Sequence, residues 1–233
     1  MGNNKNILVM GVDEVHKADV IGSIVLCGFI CNRKDYTFLY RNLGVRDSKK
    51  LDRDHITKIA ENLKKYNHKL YRISPGEISA SSNIIKLEAK YINKLIAWAM
   101  LNRVNEIYID SMTNNPETTK KYILGNINLE KIKLIIETHA DERYICVGSA
   151  SILAKDSSNK EMDSLKVRFN CGSGSPGDKR TRTFIREAIR NKDKESLSII
   201  RRNWVTYRRE FDNVKMSQSI DKNTQNNAPD VTR

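Results

Sequence analysis

The stretch ILVMGVDE, residues 7–14, is an apolar run that ends on two adjacent carboxylates. Short runs rich in β-branched residues and closed by polar breaks read as strands. Residues 7–12 are therefore predicted as a strand, with Asp13 and Glu14 just past its end. EIYID (106–110) repeats the event and closes on Asp110, while KLIIE (133–137) leads into THADER, which holds Asp141. Strand ends of an open α/β sheet are where catalytic and binding groups collect. Three such ends side by side would gather Asp13, Glu14, Asp110 and Asp141.

Outward from these runs, SIVLCGFIC (23–31), YTFLY (36–40) and KLYRI (69–73) are predicted as further strands, and SPGE (74–77) as a turn. Residues 52–66 place Ile56, Ile59, Leu63 and Tyr66 at helical spacing, and residues 83–104 do the same with Ile84, Leu87, Tyr91, Leu95 and Trp98. A helix feeding directly into EIYID is the alternation expected of an α/β protein with a mixed or parallel sheet. GSAS (148–151) is small enough to pack closely as the first turn of a helix. After the glycine-dense NCGSGSPGD (170–178), helical spacing resumes.

The chain has 233 residues, 39% of them hydrophobic, which suits one large domain or a domain with a small appendage and argues against disorder of the whole. A formal net charge of +13 favours a polyanionic partner. No run approaches the roughly 18 apolar residues of a membrane span, and the expectation is a cytoplasmic, monomeric protein without a membrane partner. Cys27, Cys31, Cys146 and Cys171 form no C-x-x-C pair and read as structural thiols. Residues 178–210 carry eleven Lys and Arg against five Asp and Glu, whereas 212–233 is polar with three charges of each sign. The organisation predicted is a catalytic domain over 1–177, a basic helical region over 178–211 and a disordered tail over 212–233.

Four clustered carboxylates repel one another and raise each other's pKa unless something positive holds them. With oxygen donors only, the natural partners are Mg²⁺ or Mn²⁺, and two such ions are the usual clamp for phosphodiester hydrolysis. Taken singly, each acid would be an ordinary solvated cap at a strand end. DSKKL (47–51) sets Asp47, Ser48, Lys49 and Lys50 before a helix predicted to start near Asp52, where amides and ammonium groups together would seat a phosphate.

These residues give the chain a resemblance to the type 2 ribonucleases H, the ribonuclease HII family, in its archaeal-like branch. It rests on GVDE (11–14) followed by VIG (20–22), LGVRDSKKL (43–51), YID (108–110), HAD (139–141), SASILAK (149–155), GSG before Pro176 and Asp178, and RRNW (201–204). The resemblance implies a ribonuclease H-like α/β fold: a central mixed five-stranded sheet flanked by helices, with a C-terminal helical extension. It also implies that Asp13, Glu14, Asp110 and Asp141 are catalytic and hold two Mg²⁺ or Mn²⁺ ions, Asp13 bridging them. Lys49, Lys50 and Lys155 would contact the backbone of an RNA/DNA hybrid, whose RNA strand is cut to leave 5′-phosphate and 3′-hydroxyl ends.

Two departures bear on specificity. The family's Gly-Arg-Gly loop is replaced here by His16, Lys17 and Ala18, and its junction-stacking tyrosine by Ser175. Both His16 and Lys17 are expected to touch nucleic acid, as is Ser175, but without arginine's fork, glycine's room or a stacking ring. Continuous RNA in hybrids is therefore expected to be preferred over a single embedded ribonucleotide. The alternative is a nucleic-acid-binding relative with little or no turnover.

Overall fold

The computed structural model describes residues 6–45, 51–125, 129 and 132–226. Its strands β1 (Leu8–Val15), β2 (Ile24–Asn32), β3 (Asn67–Ile73), β4 (Glu106–Asp110) and β5 (Lys133–Glu137) form one sheet in the order β3-β2-β1-β4-β5. The β3, β2 and β1 part is antiparallel, whereas β4 and β5 run parallel to β1. The helices are α1 (Tyr36–Arg41), α2 (Arg53–Leu63), α3 (Pro75–Ala80), α4 (Ile84–Leu101), α5 (Pro116–Leu124), α6 (Ala140–Arg143), α7 (Ile145–Arg168), α8 (Lys179–Arg190), α9 (Lys194–Ser198) and α10 (Val205–Asn226). This is the ribonuclease H-like arrangement expected, a mixed five-stranded sheet flanked by helices with a helical C-terminal extension.

The pleat of β1 decides what each face carries, because alternate side chains point to opposite sides. On one side Gly11 lies so close to α7 that a Cβ there would stand 2.1 Å from the carbonyl carbon of Cys146. Glycine is thus what lets this helix lie on the strand. On the other side Met10 reaches the vicinity of Gly28 on β2, where Leu95 and Trp98 of α4 also arrive. The α7 side is sealed by Val9, Val25, Cys27, Phe29, Ile56, Leu63, Val147 and Leu153.

The described residues pack as two compact units. Of these, the first takes in the described residues up to 17, from 23 to 73 and from 81 to 161, and includes the sheet; the second takes in 18–22, 74–80 and the described residues from 162 onward. Within the second, Val20, Ile21, Cys171, Phe184, Ile185, Ala188 and Ile200 form a core of their own. There the backbone of Ile21 bridges to Ile200, and the buried Arg201 donates from Nε to the Gly22 carbonyl at 2.7 Å. The second unit takes in the end of α7 from residue 162, where Met162 and Leu165 pack against its core together with Phe169 just beyond the helix.

Three local expectations are corrected. YTFLY is helix, not strand: Asn32 and Asp35 form a capping box that turns the chain into a 3-10 turn and then α1. Ser74 and Glu77 cap each other in the same way, so the expected turn becomes α3. From 212 onward the chain continues α10 to Asn226, with Val214 buried and Glu210 paired to Arg186 at 2.7 Å. The expected disordered tail is therefore helical at least that far. All four cysteines are buried free thiols, and among the described residues no helix is long and apolar enough to cross a membrane.

Candidate active site

Asp13 and Glu14 lie within β1, not beyond it, since β2 continues the ladder opposite them through Cys27 and Leu26. On the parallel side Val12 is level with Ile109, so the next residues lie side by side, Asp13 within β1 and Asp110 at the end of β4. Asp110 is level with Glu137 of β5, and its Oδ1 accepts the amide of Ala140 at 2.8 Å. That bond fixes the start of α6, which carries the buried Asp141. His139, just before it, holds a left-handed φ of 58° that makes the tight entry into this helix.

The pleat sends the two adjacent acids to opposite faces. Asp13 turns toward α7, where the Ser151 hydroxyl and the Glu14 amide hydrogen-bond its carboxylate, the amide at 2.8 Å to Oδ1. Burial, then the charges of Asp110 and Asp141, still hold its pKa well above the usual carboxylate range. Glu14 turns toward α4 and is likewise raised, by burial first, then by Asp13 and by Glu88, with Lys17 opposing and Asp110 adding to the rise. Asp13 and Glu14 thus both feel Asp110, and Asp13 also feels Asp141.

Their donor chemistry fits a hard divalent cation. The candidate donors are carboxylate oxygens only, and two of them, Asp13 and Glu14, are pushed toward the protonated form by burial and by neighbouring acids, a repulsion that a bound cation would relieve. Among the described residues no three His, Cys, Asp or Glu side chains are placed close enough together to hold a metal ion as they stand.

The remaining predicted residues are placed as follows. His16 leaves β1 with φ 62°, a left-handed conformation that normally favours glycine. The backbone thus makes a glycine-like turn here while carrying an imidazole. Lys17 points inward, its Nζ 2.6 Å from Oε2 of Glu88 and 2.8 Å from the Met112 carbonyl. Lys155, half-buried on α7, follows Ser151 by one helical turn and so shares the face that touches Asp13. In the second unit, Ser175 sits in the glycine loop ahead of α8, its Oγ accepting the Gly177 amide at 3.4 Å. Asp47, Ser48, Lys49 and Lys50 lie outside the described residues.

Glu88 is the residue that sequence reasoning passed over. It is fully buried on α4, three, four and seven positions before the core residues Tyr91, Ile92 and Leu95. A carboxylate on an apolar helical stripe was the available signal, since such a charge stays inside only when paired.

The family model for Ribonuclease HII matches residues 10–207. The Ribonuclease HII of Methanocaldococcus jannaschii is 31% identical over 236 residues, covering 92% of this chain and 99% of that protein. Among solved structures, ribonuclease H2 from Pyrococcus horikoshii OT3 superposes with a TM-score of 0.78 at 29% identity, covering 90% of this chain and 99% of that one. The RNase HII of the PCNA:RNase HII complex from Archaeoglobus fulgidus gives 0.71 at 30% identity, over 85% and 95%. A sheet that ends in these acids, matched over nearly its whole length by these proteins, means that the chain belongs to the ribonuclease HII family, in its archaeal-like branch.

Proposed function

We propose that the protein is an endonuclease that hydrolyses the RNA strand of RNA/DNA hybrids, leaving 5′-phosphate and 3′-hydroxyl ends, and that its preference for single embedded ribonucleotides is weakened. The observation that carries this reading is the placement of buried Asp13 on β1 beside Asp110 at the end of the parallel β4, with Asp110 capping the start of the helix that carries the buried Asp141. Membership of the ribonuclease HII family supports the substrate class.

Asp13, Glu14, Asp110 and Asp141 would hold two Mg²⁺ or Mn²⁺ ions, which when bound stabilise charge on the attacking and leaving oxygens. The chain's own residues prepare that site. Ser151 and the Glu14 amide orient the Asp13 carboxylate, and the Ala140 amide orients Asp110, so the acids keep their directions despite mutual repulsion. Lys155, on the Ser151 face of α7, attracts the phosphate backbone, as do Lys49 and Lys50 in the sequence reading. Such contacts position a duplex without reading its bases.

Choice of substrate rests on the 2′-hydroxyl, the one group that separates ribose from deoxyribose. His16 keeps a glycine-like backbone turn but fills it with a side chain. Ser175 can hydrogen-bond but offers no ring to stack. Both changes reduce grip on a lone ribonucleotide while leaving the generic phosphate contacts.

The test is kcat/KM at one salt concentration for a continuous RNA/DNA hybrid and for duplex DNA carrying one ribonucleotide. Faster cleavage of the continuous hybrid is expected, and the combined variant His16→Gly, Ala18→Gly, Ser175→Tyr should shift the ratio toward the single ribonucleotide. A parent protein that prefers the embedded ribonucleotide refutes the specificity reading. A folded protein that cuts neither refutes the hydrolase reading.

A further inference from the structure

Beside the acids lies an ion pair that the chemistry above does not use. Glu88 is fully buried, and its Oε2 receives the Lys17 ammonium at 2.6 Å. The same ammonium donates to the Met112 carbonyl at 2.8 Å and stands 3.9 Å from Oε1 of Glu14. Lys17 thus ties α4, the segment after β4 and the end of β1 to one point, on the face to which the pleat turns Glu14. A buried carboxylate stripped of its partner is strongly unfavourable. Drawing Lys17 out to a phosphate would cost the buried Glu88 its 2.6 Å ammonium partner.

We propose that Lys17 and Glu88 form a fixed internal ion pair that positions Glu14 and sets the charge presented to the metal ions, and that Lys17 is not a phosphate contact. The metal part rests on the reading of Glu14 as a metal ligand; the phosphate part does not. Glu88 is a positioning residue, acting through Lys17. In the parent the pair is neutral as a unit, so the field at the site is that of the four acids. Removing only the negative member takes away the carboxylate at 2.6 Å and leaves the ammonium's positive charge 3.9 Å from Glu14, where it opposes a cation. Removing only the positive member does not oppose it. Removing both restores neutrality.

The experiment measures Mn²⁺ binding to the nucleic-acid-free protein by the electron paramagnetic resonance signal of unbound Mn²⁺, in the parent, Glu88→Gln, Lys17→Met and the double variant. Glu88→Gln should weaken binding about tenfold, the coupling common between contacting charges, and Lys17→Met should not weaken it. The double variant should return to within about threefold of the parent. It exchanges an ion pair whose carboxylate is buried and whose ammonium is half-buried for neutral side chains of similar shape, a change that proteins tolerate, so it remains informative even if Lys17→Met alone is unstable. A double variant as weak as Glu88→Gln overturns the metal part.

The second arm measures hybrid affinity against salt in chelator. Lys17→Met should keep the parent's slope, whereas loss of one phosphate contact lowers it by about 0.9; that drop overturns the proposal. If the parent takes up no Mn²⁺ at all, the metal-dependent hydrolase reading and the metal part fail together, and the salt slope still decides the place of Lys17.

Discussion

Gly11→Ala is a single methyl placed at the tightest contact of the fold. The new Cβ would stand 2.1 Å from the carbonyl carbon of Cys146, 2.2 Å from its oxygen and 2.3 Å from the amide nitrogen of Val147. Ordinary contacts begin near 3.4 Å, so α7 must retreat from β1 by about 1 Å, against an interior packed at crystal density. Overpacking costs about 1–3 kcal/mol in general. Here the collision is between backbones that cannot rotate away, which puts the cost near the top of that range, about 3 kcal/mol. For a chain of this size that lowers Tm by about 6–12 °C. The same retreat carries Ser151 away from Asp13, and a displacement of about 1 Å at a reacting centre costs on the order of a hundredfold in rate. Thermal melts with and without Mg²⁺, together with kcat on a hybrid, measure both effects. A variant that melts within about 2 °C of the parent and cleaves at the parental rate would refute the claim that close approach of α7 builds the site.

Two further outcomes follow from burial and charge. Asp13 and Glu14 titrate higher in the folded chain than when unfolded, so in chelator the folded state binds more protons and loses stability as pH rises from about 4 through their raised values. Asp13→Asn removes one such group, and its Tm advantage over the parent in chelator should be larger at about pH 8 than at about pH 5; a flat or reversed difference would contradict the coupling. Deleting residues 212–233 removes the buried Val214 and most of α10, and should cost about 2 kcal/mol, or about 4–8 °C in Tm. An unchanged melt would mean that this part of the helix adds nothing to the second unit.

Much of the site was legible because it follows from strand ends, and apolar runs stopped by acids mark those directly. The strand-like runs ILVMGV, EIYID and KLIIE correspond to β1, β4 and β5, and the parallel pairing then levels Asp13 with Asp110. Composition misled where local hydrogen bonding overrides propensity. The aromatic YTFLY suits a strand, yet the reciprocal bonds of Asn32 and Asp35 commit the chain to helical turns before it is reached. The polar α10 hides its docking in few positions, Val214 and the Glu210 pair with Arg186. Glu88 escaped notice because its meaning depends on Lys17, 71 residues earlier. The inward course of Lys17 is equally invisible in the sequence, where a lysine in a phosphate-grip loop reads as a surface cation.

The most direct measurement is single-turnover cleavage of an end-labelled RNA/DNA hybrid by the parent and by Asp13→Asn in Mg²⁺ and in Mn²⁺, with the end groups of the products identified. The parent should cut the RNA strand to 5′-phosphate and 3′-hydroxyl ends, and Asp13→Asn, though folded, should be slower by at least about a thousandfold, as befits a group that acts as part of one unit. A folded parent that binds the hybrid and leaves it intact with both ions, or an Asp13→Asn variant that cleaves at the parental rate, would contradict the assignment of hydrolysis to these four acids.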